Sequence, residues 1–264
     1  MPREITAYSN PLIKRIRSLR EKRHRREEGL FLAEGLRILT EAYETGRVPN
    51  YLFYAKDSAD HPLVRSLITA VEAAGGEAVE TIADILSKLS GKDNPQAVVG
   101  VFSEFTRSLA NLDRQSASIW LVAERLRDPG NLGTILRTGD AVGAGGLILI
   151  GDCVDPFSVE AVRASMGALF TVPIVQTSWP EFIAWLREGP GQLVGLSLDT
   201  QTDYRSAAYT TPTFLLTGNE AQGIPADYAA ACDVLVKIPM LGKADSLNAA
   251  VATAVMAYEV LAQR

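Results

Sequence analysis

Three stretches in the C-terminal half concentrate residue types that could do chemistry at short spacing. Arg127-Asp128-Pro129-Gly130-Asn131-Leu132-Gly133 leads into Arg137-Thr138. Gly218-Asn219-Glu220-Ala221-Gln222-Gly223-Ile224-Pro225 comes next, and Pro239-Met240-Leu241-Gly242-Lys243-Ala244-Asp245-Ser246-Leu247-Asn248 follows. Together they offer guanidinium, carboxylate, amide and hydroxyl groups set among glycines and prolines. The chain has only two histidines, His24 inside a basic run and His61 beside Pro62. Neither adjoins a serine, cysteine or carboxylate pattern, which argues against Ser-His-Asp and Cys-His mechanisms. Proton transfer must then use carboxylate, hydroxyl, guanidinium or ammonium groups. The two cysteines, Cys153 and Cys232, lie far apart and outside metal-ligand spacing, so neither a disulfide framework nor a metal site is expected.

Each stretch alone has a plainer account. Asp128-Pro129-Gly130-Asn131 suits a turn and helix cap, Gly218 and Gly223 permit tight backbone angles, and Ser246 could cap the last helix. What sets them apart is placement, because all three follow strands of one sheet at the ends where open α/β sheets bind ligands. A dinucleotide-binding oxidoreductase is a disfavoured alternative. Val142-Gly143-Ala144-Gly145-Gly146 precedes a strand instead of following one, and Ile148 stands where the third glycine belongs. No Walker A pattern occurs.

The elements that must position these loops follow from periodicity. After Asn10-Pro11 and a basic helix, strands are expected at Leu30 to Ala33, Tyr51 to Tyr54 and Ala97 to Phe102. Helices are expected at Leu36 to Thr45, Pro62 to Ala74 and Ile82 to Leu89, with a turn over Gly91-Lys92-Asp93-Asn94-Pro95. Ser103 to Ser118 loses apolar periodicity and reads as a linker. Beyond it come near-continuous apolar strands at Ile119 to Ala123, Leu147 to Ile150, Val172 to Val175, Leu193 to Leu198, Phe214 to Thr217 and Val234 to Ile238. These indicate a parallel sheet covered on both faces, closed by a helix over Leu247 to Leu261. The fold class is therefore α/β, with a C-terminal parallel-sheet domain and a smaller N-terminal α/β domain. The expected divisions are a basic helix at 1–28, an N-terminal α/β domain at 29–103, a linker at 104–118 and a C-terminal parallel-sheet domain at 119–264.

Composition agrees with a well-cored soluble chain: 264 residues, 47% hydrophobic and 22% charged. No apolar run approaches the roughly eighteen residues of a membrane span, and the Met1-Pro2-Arg3-Glu4 opening suggests no signal peptide. A cytoplasmic location without membrane contact is expected. The net charge of −5 hides an asymmetry. Lys14, Arg15, Arg17, Arg20, Lys22, Arg23, Arg25 and Arg26 face a single acid, Glu21, so that window is +7 and the rest of the chain −12. Such a segment suits a phosphate-binding arm, although Leu12, Ile16 and Leu19 at i, i+4 and i+7 also give it a buried stripe.

From about Gly29 onward the chain resembles the SpoU (TrmH-like) branch of the SPOUT methyltransferases. Asp128-Pro129, Asn131, Gly133 and Arg137-Thr138 resemble the family's first motif. Gly218-Asn219-Glu220 with Gly223 resembles the second, and Ile238-Pro239-Met240 through Ser246-Leu247-Asn248 the third. Phe31 to Phe102, mainly through Glu34-Gly35 and its apolar pattern, is similar to the family's ribosomal-protein-like RNA-binding domain. The resemblance implies S-adenosylmethionine-dependent methyl transfer to a ribose 2′-hydroxyl of RNA, with ribosomal RNA favoured. It also implies a trefoil-knotted catalytic domain, a bent cofactor and a homodimer. By the same resemblance, Gly218, Ile238, Met240 and Leu247 would bind the cofactor, and Arg137, Asn131, Glu220, Ser246 and Asn248 would form the catalytic group. Lys14, Arg15, Arg23, Arg26 and Arg163 are the candidate RNA contacts. Departures are modest: Gly139 replaces a common alanine, Ala249-Ala250 a Val-Ser pair, and Arg163 a lysine.

A guanidinium stays protonated and has no free acceptor for a proton, so Arg137 is expected to stabilise the developing alkoxide and to grip a neighbouring phosphate. An arginine–phosphate route to deprotonation, as proposed in the family, stays open. Glu220 could accept the proton, orient Arg137, or satisfy backbone N–H groups in a tight loop. The alternatives are a transfer-RNA 2′-O-methyltransferase, a base methyltransferase, and a catalytically silent RNA-binding protein on the same fold.

Overall fold

The computed structural model describes residues 3–93 and 96–264. Met1, Pro2 and the Asn94-Pro95 part of the expected turn lie outside the described residues. The chain opens with β1 (Arg3–Ile5), α1 (Pro11–Ser18), α2 (Lys22–Glu28), β2 (Leu30–Glu34), α3 (Leu36–Glu44), β3 (Tyr51–Ala55), α4 (Pro62–Ala73), β4 (Glu77–Thr81), α5 (Ala83–Ser90) and β5 (Val98–Ser103). It continues with β6 (Ile119–Glu124), α6 (Pro129–Ala141), β7 (Leu147–Ile150), α7 (Val159–Ser165), α8 (Ala168–Thr171), β8 (Ile174–Thr177) and α9 (Trp179–Arg187). It ends with β9 (Gln192–Leu196), β10 (Thr213–Thr217), α10 (Ala226–Ala231), β11 (Val234–Val236) and α11 (Ala249–Ala262). Two compact units result: 1–105 together with 155–171, and 106–154 together with 172–264.

The first unit is built on a mixed sheet ordered β1-β4-β3-β5-β2. β1, β4 and β3 run parallel, while β5 runs antiparallel to both β3 and β2. Sequence periodicity indicates β2, β3 and β5 but not β1 or β4. β1 is a three-residue edge strand, and β4 (Glu-Ala-Val-Glu-Thr) follows Gly75-Gly76 with too few apolar residues to stand out. The core gathers Ile13, Ile16, Leu19, Phe53, Val79, Leu86 and Val101, and Val159 of α7 joins it. Phe157 lies 4.8 Å from Phe31 and Phe170 lies 5.0 Å from Phe102, ring centre to ring centre. The inserted segment 155–171 is thus part of this core.

The single basic helix expected near the N-terminus is two helices, and this corrects the sequence reading. Asn10 caps α1 by accepting from the Leu12 N–H at 2.9 Å. The chain then breaks between α1 and α2 because Arg25 captures the carbonyls there. Its guanidinium donates to Leu19 O at 2.9 Å and Arg20 O at 2.8 Å, and pairs with Asp155 at 2.6 Å. Arg25 is only 2% exposed, so one of the eight basic residues is a core fastener. The buried stripe is Ile13, Ile16 and Leu19, with Leu12 half-buried.

The second unit is a six-stranded, wholly parallel sheet ordered β11-β9-β10-β6-β7-β8. Trp120, Val122, Ile148, Ile150, Phe214 and Leu216 pack with Phe182 and Leu186 of α9 on one face. On the other, α11 and α6 pack together and against β10 and β6, and the Thr217 and Thr253 hydroxyls bond at 2.7 Å. A Cβ at Gly139 would sit 3.2 Å from Leu121 Cδ1, so glycine there lets α6 approach the sheet closely. The stretch read as a linker is fastened to this unit. Arg107 N–H donates to Ile174 O at 2.9 Å, and Arg114 donates to Leu186 O and Trp185 O while stacking over the Trp185 ring.

Candidate active site

The three motif loops emerge at the carboxyl ends of β6, β10 and β11. After β6 the chain turns at Asp128, whose Oδ1 accepts the Asn131 N–H at 2.7 Å and caps α6. Pro129 takes the first helical position, where no backbone N–H is required. Asn131, 9% exposed, uses its side-chain amide twice. Its Nδ2 donates to Glu220 Oε1 at 3.0 Å, and its Oδ1 accepts from Asn248 Nδ2 at 2.8 Å. Asn248 in turn caps α11, accepting the Ala250 and Val251 N–H groups at 2.9 and 3.3 Å. One relay, Asn248–Asn131–Glu220, therefore links all three loops.

Glu220 also accepts the backbone N–H groups of Arg127 and Asp128, each at 3.4 Å. Of the three roles open to it from sequence, these bonds correspond to the tie within a tight loop. The loop after β10 is closed by the Gly223 N–H donating to Asn219 O at 2.8 Å. A Cβ at Gly218 would collide with the backbone of Gly223, so only glycine allows this closure. Ser246 is exposed and α11 starts at Ala249, so the cap belongs to Asn248 and the helix begins two residues later than expected.

A cavity of about 430 Å³ lies between the loops after β10 and β11, and the loop after β6 contributes no lining residue. Gly218, Glu220, Ile238, Met240, Ser246 and Leu247 line it, as six of the nine expected site residues. Asn131 and Asn248 stand behind the wall and hold it through the relay. Arg137 is exposed on α6 and is not part of the cavity lining. A fourth loop is absent from the sequence reading: Ser197, Leu198 and Asp199 after β9 also line the cavity. A strand expected to run through Leu198 conceals that loop, yet β9 lies between β10 and β11, so its end must face the same space. Asp199, Glu220 and Asp245 outnumber Lys237, whose amine donates to Gln201 Oε1 at 2.8 Å.

Neither cysteine offers a nucleophile. Burial pushes the Cys153 thiol up to about 11 and the Cys232 thiol to about 12, so neither supplies thiolate near neutrality. Of the expected RNA contacts, Lys14 and Arg26 are exposed, Arg15 pairs with Glu28 at 2.6 Å, and Arg23 pairs with Glu27 at 2.7 Å. Arg163 donates to the buried Glu34 carboxylate at 2.8 Å.

Residues 118–258 match the SpoU rRNA Methylase family, and residues 10–100 match the MRM3-like substrate binding domain. The chain belongs to the SpoU rRNA methylase family. It is similar to a structure of an AdoMet-bound rRNA methyltransferase from Sinorhizobium meliloti, with 40% identity, TM-score 0.92, and 98% and 97% of the two chains covered. It is 34% identical to a 23S rRNA (uridine(2479)-2′-O)-methyltransferase of Streptomyces viridochromogenes, over 93% of this chain and 87% of the relative. It is 27% identical to the 23S rRNA (guanosine(2553)-2′-O)-methyltransferase RlmP of Bacillus subtilis (strain 168), over 98% and 99%. For a SpoU methylase the cavity suits S-adenosylmethionine. Its volume is in the range of small-ligand sites, and Ile224, Val236, Ile238, Met240 and Leu247 give it apolar walls. Its excess of carboxylates suits a sulfonium cation.

Proposed function

We propose that this SpoU methylase transfers a methyl group from S-adenosylmethionine to a ribose 2′-hydroxyl of ribosomal RNA. The observation that carries this is the Asn248–Asn131–Glu220 relay, which ties the loop after β6 to the loops after β10 and β11 that line one cavity of cofactor size. The 23S rRNA 2′-O-methyltransferases among the relatives support the substrate class over transfer RNA.

S-adenosylmethionine, when bound, supplies an electrophilic methyl group on a sulfonium. Gly218, Ile238, Met240 and Leu247 would hold it between closed backbone and apolar side chains. Asn131, Glu220 and Asn248 keep the loops fixed, so that the attacking oxygen is presented in line; alignment of this kind is worth several kcal/mol. Ser246 adds a hydroxyl at the wall. Arg137 stabilises the alkoxide as charge develops and holds an adjacent phosphate of the RNA.

Lys14 and Arg26 are exposed cations suited to the RNA backbone. Homodimerisation is supported by the apolar side chains that α11 and the residue before its cap leave exposed, Leu247, Val251, Tyr258 and Leu261. We also propose a trefoil knot in the second unit and a cytoplasmic site of action.

The test is transfer of labelled methyl from S-adenosylmethionine to total RNA, followed by mapping of 2′-O-methyl positions. We expect label on the 2′-oxygen of a ribosomal-RNA nucleotide. Label on a base, or on transfer RNA alone, would sink this assignment.

A further inference from the structure

Among the described residues, Arg125 and Met166 hold a left-handed backbone without being glycine. Arg125, with φ of 44°, comes immediately after β6, where the chain turns into the first motif loop. The turn has a structural purpose, because the next residue, Leu126, is fully buried. Glycine makes such a turn without steric cost, whereas a larger residue is strained there. Strain of this kind persists where the surroundings over-determine it, and it gathers at functional sites. Both backbone groups of Arg125 are bound. Its N–H donates to Ile150 O at 3.0 Å, and its carbonyl accepts the Asn219 side-chain amide at 2.9 Å. These bonds account for the turn and leave the arginine side chain to be explained.

That side chain is held out in the open. Its stem crosses Gly151 at the end of β7, where a Cβ would sit 3.3 Å from Arg125 Cγ. The side chain is 47% exposed, and the one carboxylate within 4 Å among the described residues is Glu124, at 3.8 Å, too far for a hydrogen bond. Arg127, two residues on, is instead paired with Asp152 at 2.9 Å. Asn219, to which the Arg125 carbonyl is fastened, lines the cofactor cavity, while the Arg125 stem leans toward β7. The guanidinium therefore stands just outside the cavity, on the side away from β9 and β11. The cavity wall carries Asp199, Glu220 and Asp245 against Lys237. Such a wall suits a sulfonium but repels RNA, which brings a phosphate on either side of the reacting ribose. Cations around the cavity are needed to offset that repulsion.

We propose that Arg125 is an RNA-positioning residue: its guanidinium grips a phosphate flanking the methylated nucleotide, a different one from that held by Arg137. This rests on the methyl-transfer reading above and names a residue outside the three motifs. A guanidinium presents paired N–H groups to two phosphate oxygens, a match that an ammonium lacks.

Arg125→Gly tests this without breaking the turn, since glycine accepts the same φ. In transfer of labelled methyl to protein-free ribosomal RNA, we expect its KM for RNA to rise about tenfold, the loss of one charge-assisted hydrogen bond. The kcat and the S-adenosylmethionine Kd should each stay within about twofold. In filter binding of the same RNA, the slope of log affinity against log salt should fall by about 0.7, the share of one phosphate. Arg125→Lys should restore that slope and only part of the affinity, a pattern that a purely structural role would not give. Should the glycine variant fail to fold, Arg125→Asn, which also tolerates the left-handed region, carries the same expectations. An unchanged KM for RNA with an unchanged salt slope overturns the proposal. So does an equal loss of S-adenosylmethionine affinity, which would make Arg125 a prop for the loop at Asn219. Wild-type protein that transferred no methyl to ribosomal RNA would overturn the function itself, so the two failures are distinguishable.

Discussion

Among the site residues, placement in the fold divides labour that residue type alone left open. Glu220 is a carboxylate in a glycine-rich loop, and its type admits a base, an orienter or a structural tie. Its bonds to Arg127 N–H, Asp128 N–H and Asn131 Nδ2 are those of the third role. Arg137 has the opposite character, being exposed and outside the cofactor wall. On the proposed reading, Arg137 acts on the nucleophile's side and not on cofactor binding. Arg137→Ala should therefore lower kcat by about 10²- to 10³-fold, as for loss of one oxyanion stabiliser. The S-adenosylmethionine Kd should stay within about twofold, because the substitution removes no wall atom. A titration showing large loss of cofactor affinity would contradict the role given to this arginine.

Helices α1 and α2 change what can be asked of the N-terminal segment. Its charge pattern suits a detachable arm, but Ile13, Ile16, Leu19 and Arg25 are buried in the first unit. Arg25 pairs with Asp155 in an almost dry setting, and deletion of one member of such a pair costs about 3–5 kcal/mol. Removing the segment would thus test folding more than RNA affinity. Substituting the exposed cations separates the two. Lys14→Gln, Arg17→Gln and Arg26→Gln together should reduce the slope of log affinity for RNA against log salt by about two, since each phosphate left without its cation removes about 0.7. An unaltered slope would leave these side chains as a solvated face.

At the scale of the whole molecule, the chain passes between its two units three times, at 105–106, 154–155 and 171–172. The first unit is consequently not a contiguous piece of sequence. Phe157, Val159, Leu169 and Phe170, all at most 8% exposed, come from the inserted stretch. Burial of such side chains stabilises by about 1.5–3 kcal/mol each, a sum comparable to the entire stability of a small domain. Residues 1–105 expressed alone should therefore give no cooperative thermal transition by circular dichroism, whereas the full-length chain should. A sharp transition in the fragment would show that the insertion is dispensable.

Sequence alone determined the parallel sheet, because apolar runs such as Ile119 to Ala123 and Leu147 to Ile150 can be buried only between two layers of helices. It also determined the three chemical loops, since glycine, proline and asparagine at strand ends are local requirements of backbone geometry. What escaped it depended on partners distant in the chain. β1 exists because it pairs with β4, and β4 because it pairs with β1 and β3, and Glu-Ala-Val-Glu-Thr carries little sign of that pairing. The break between α1 and α2 needs Asp155, 130 residues beyond Arg25, and the loop at Asp199 joins the cavity only through the strand order. Local conformation is coded by neighbours in sequence, whereas burial, pairing and charge compensation are settled by neighbours in space.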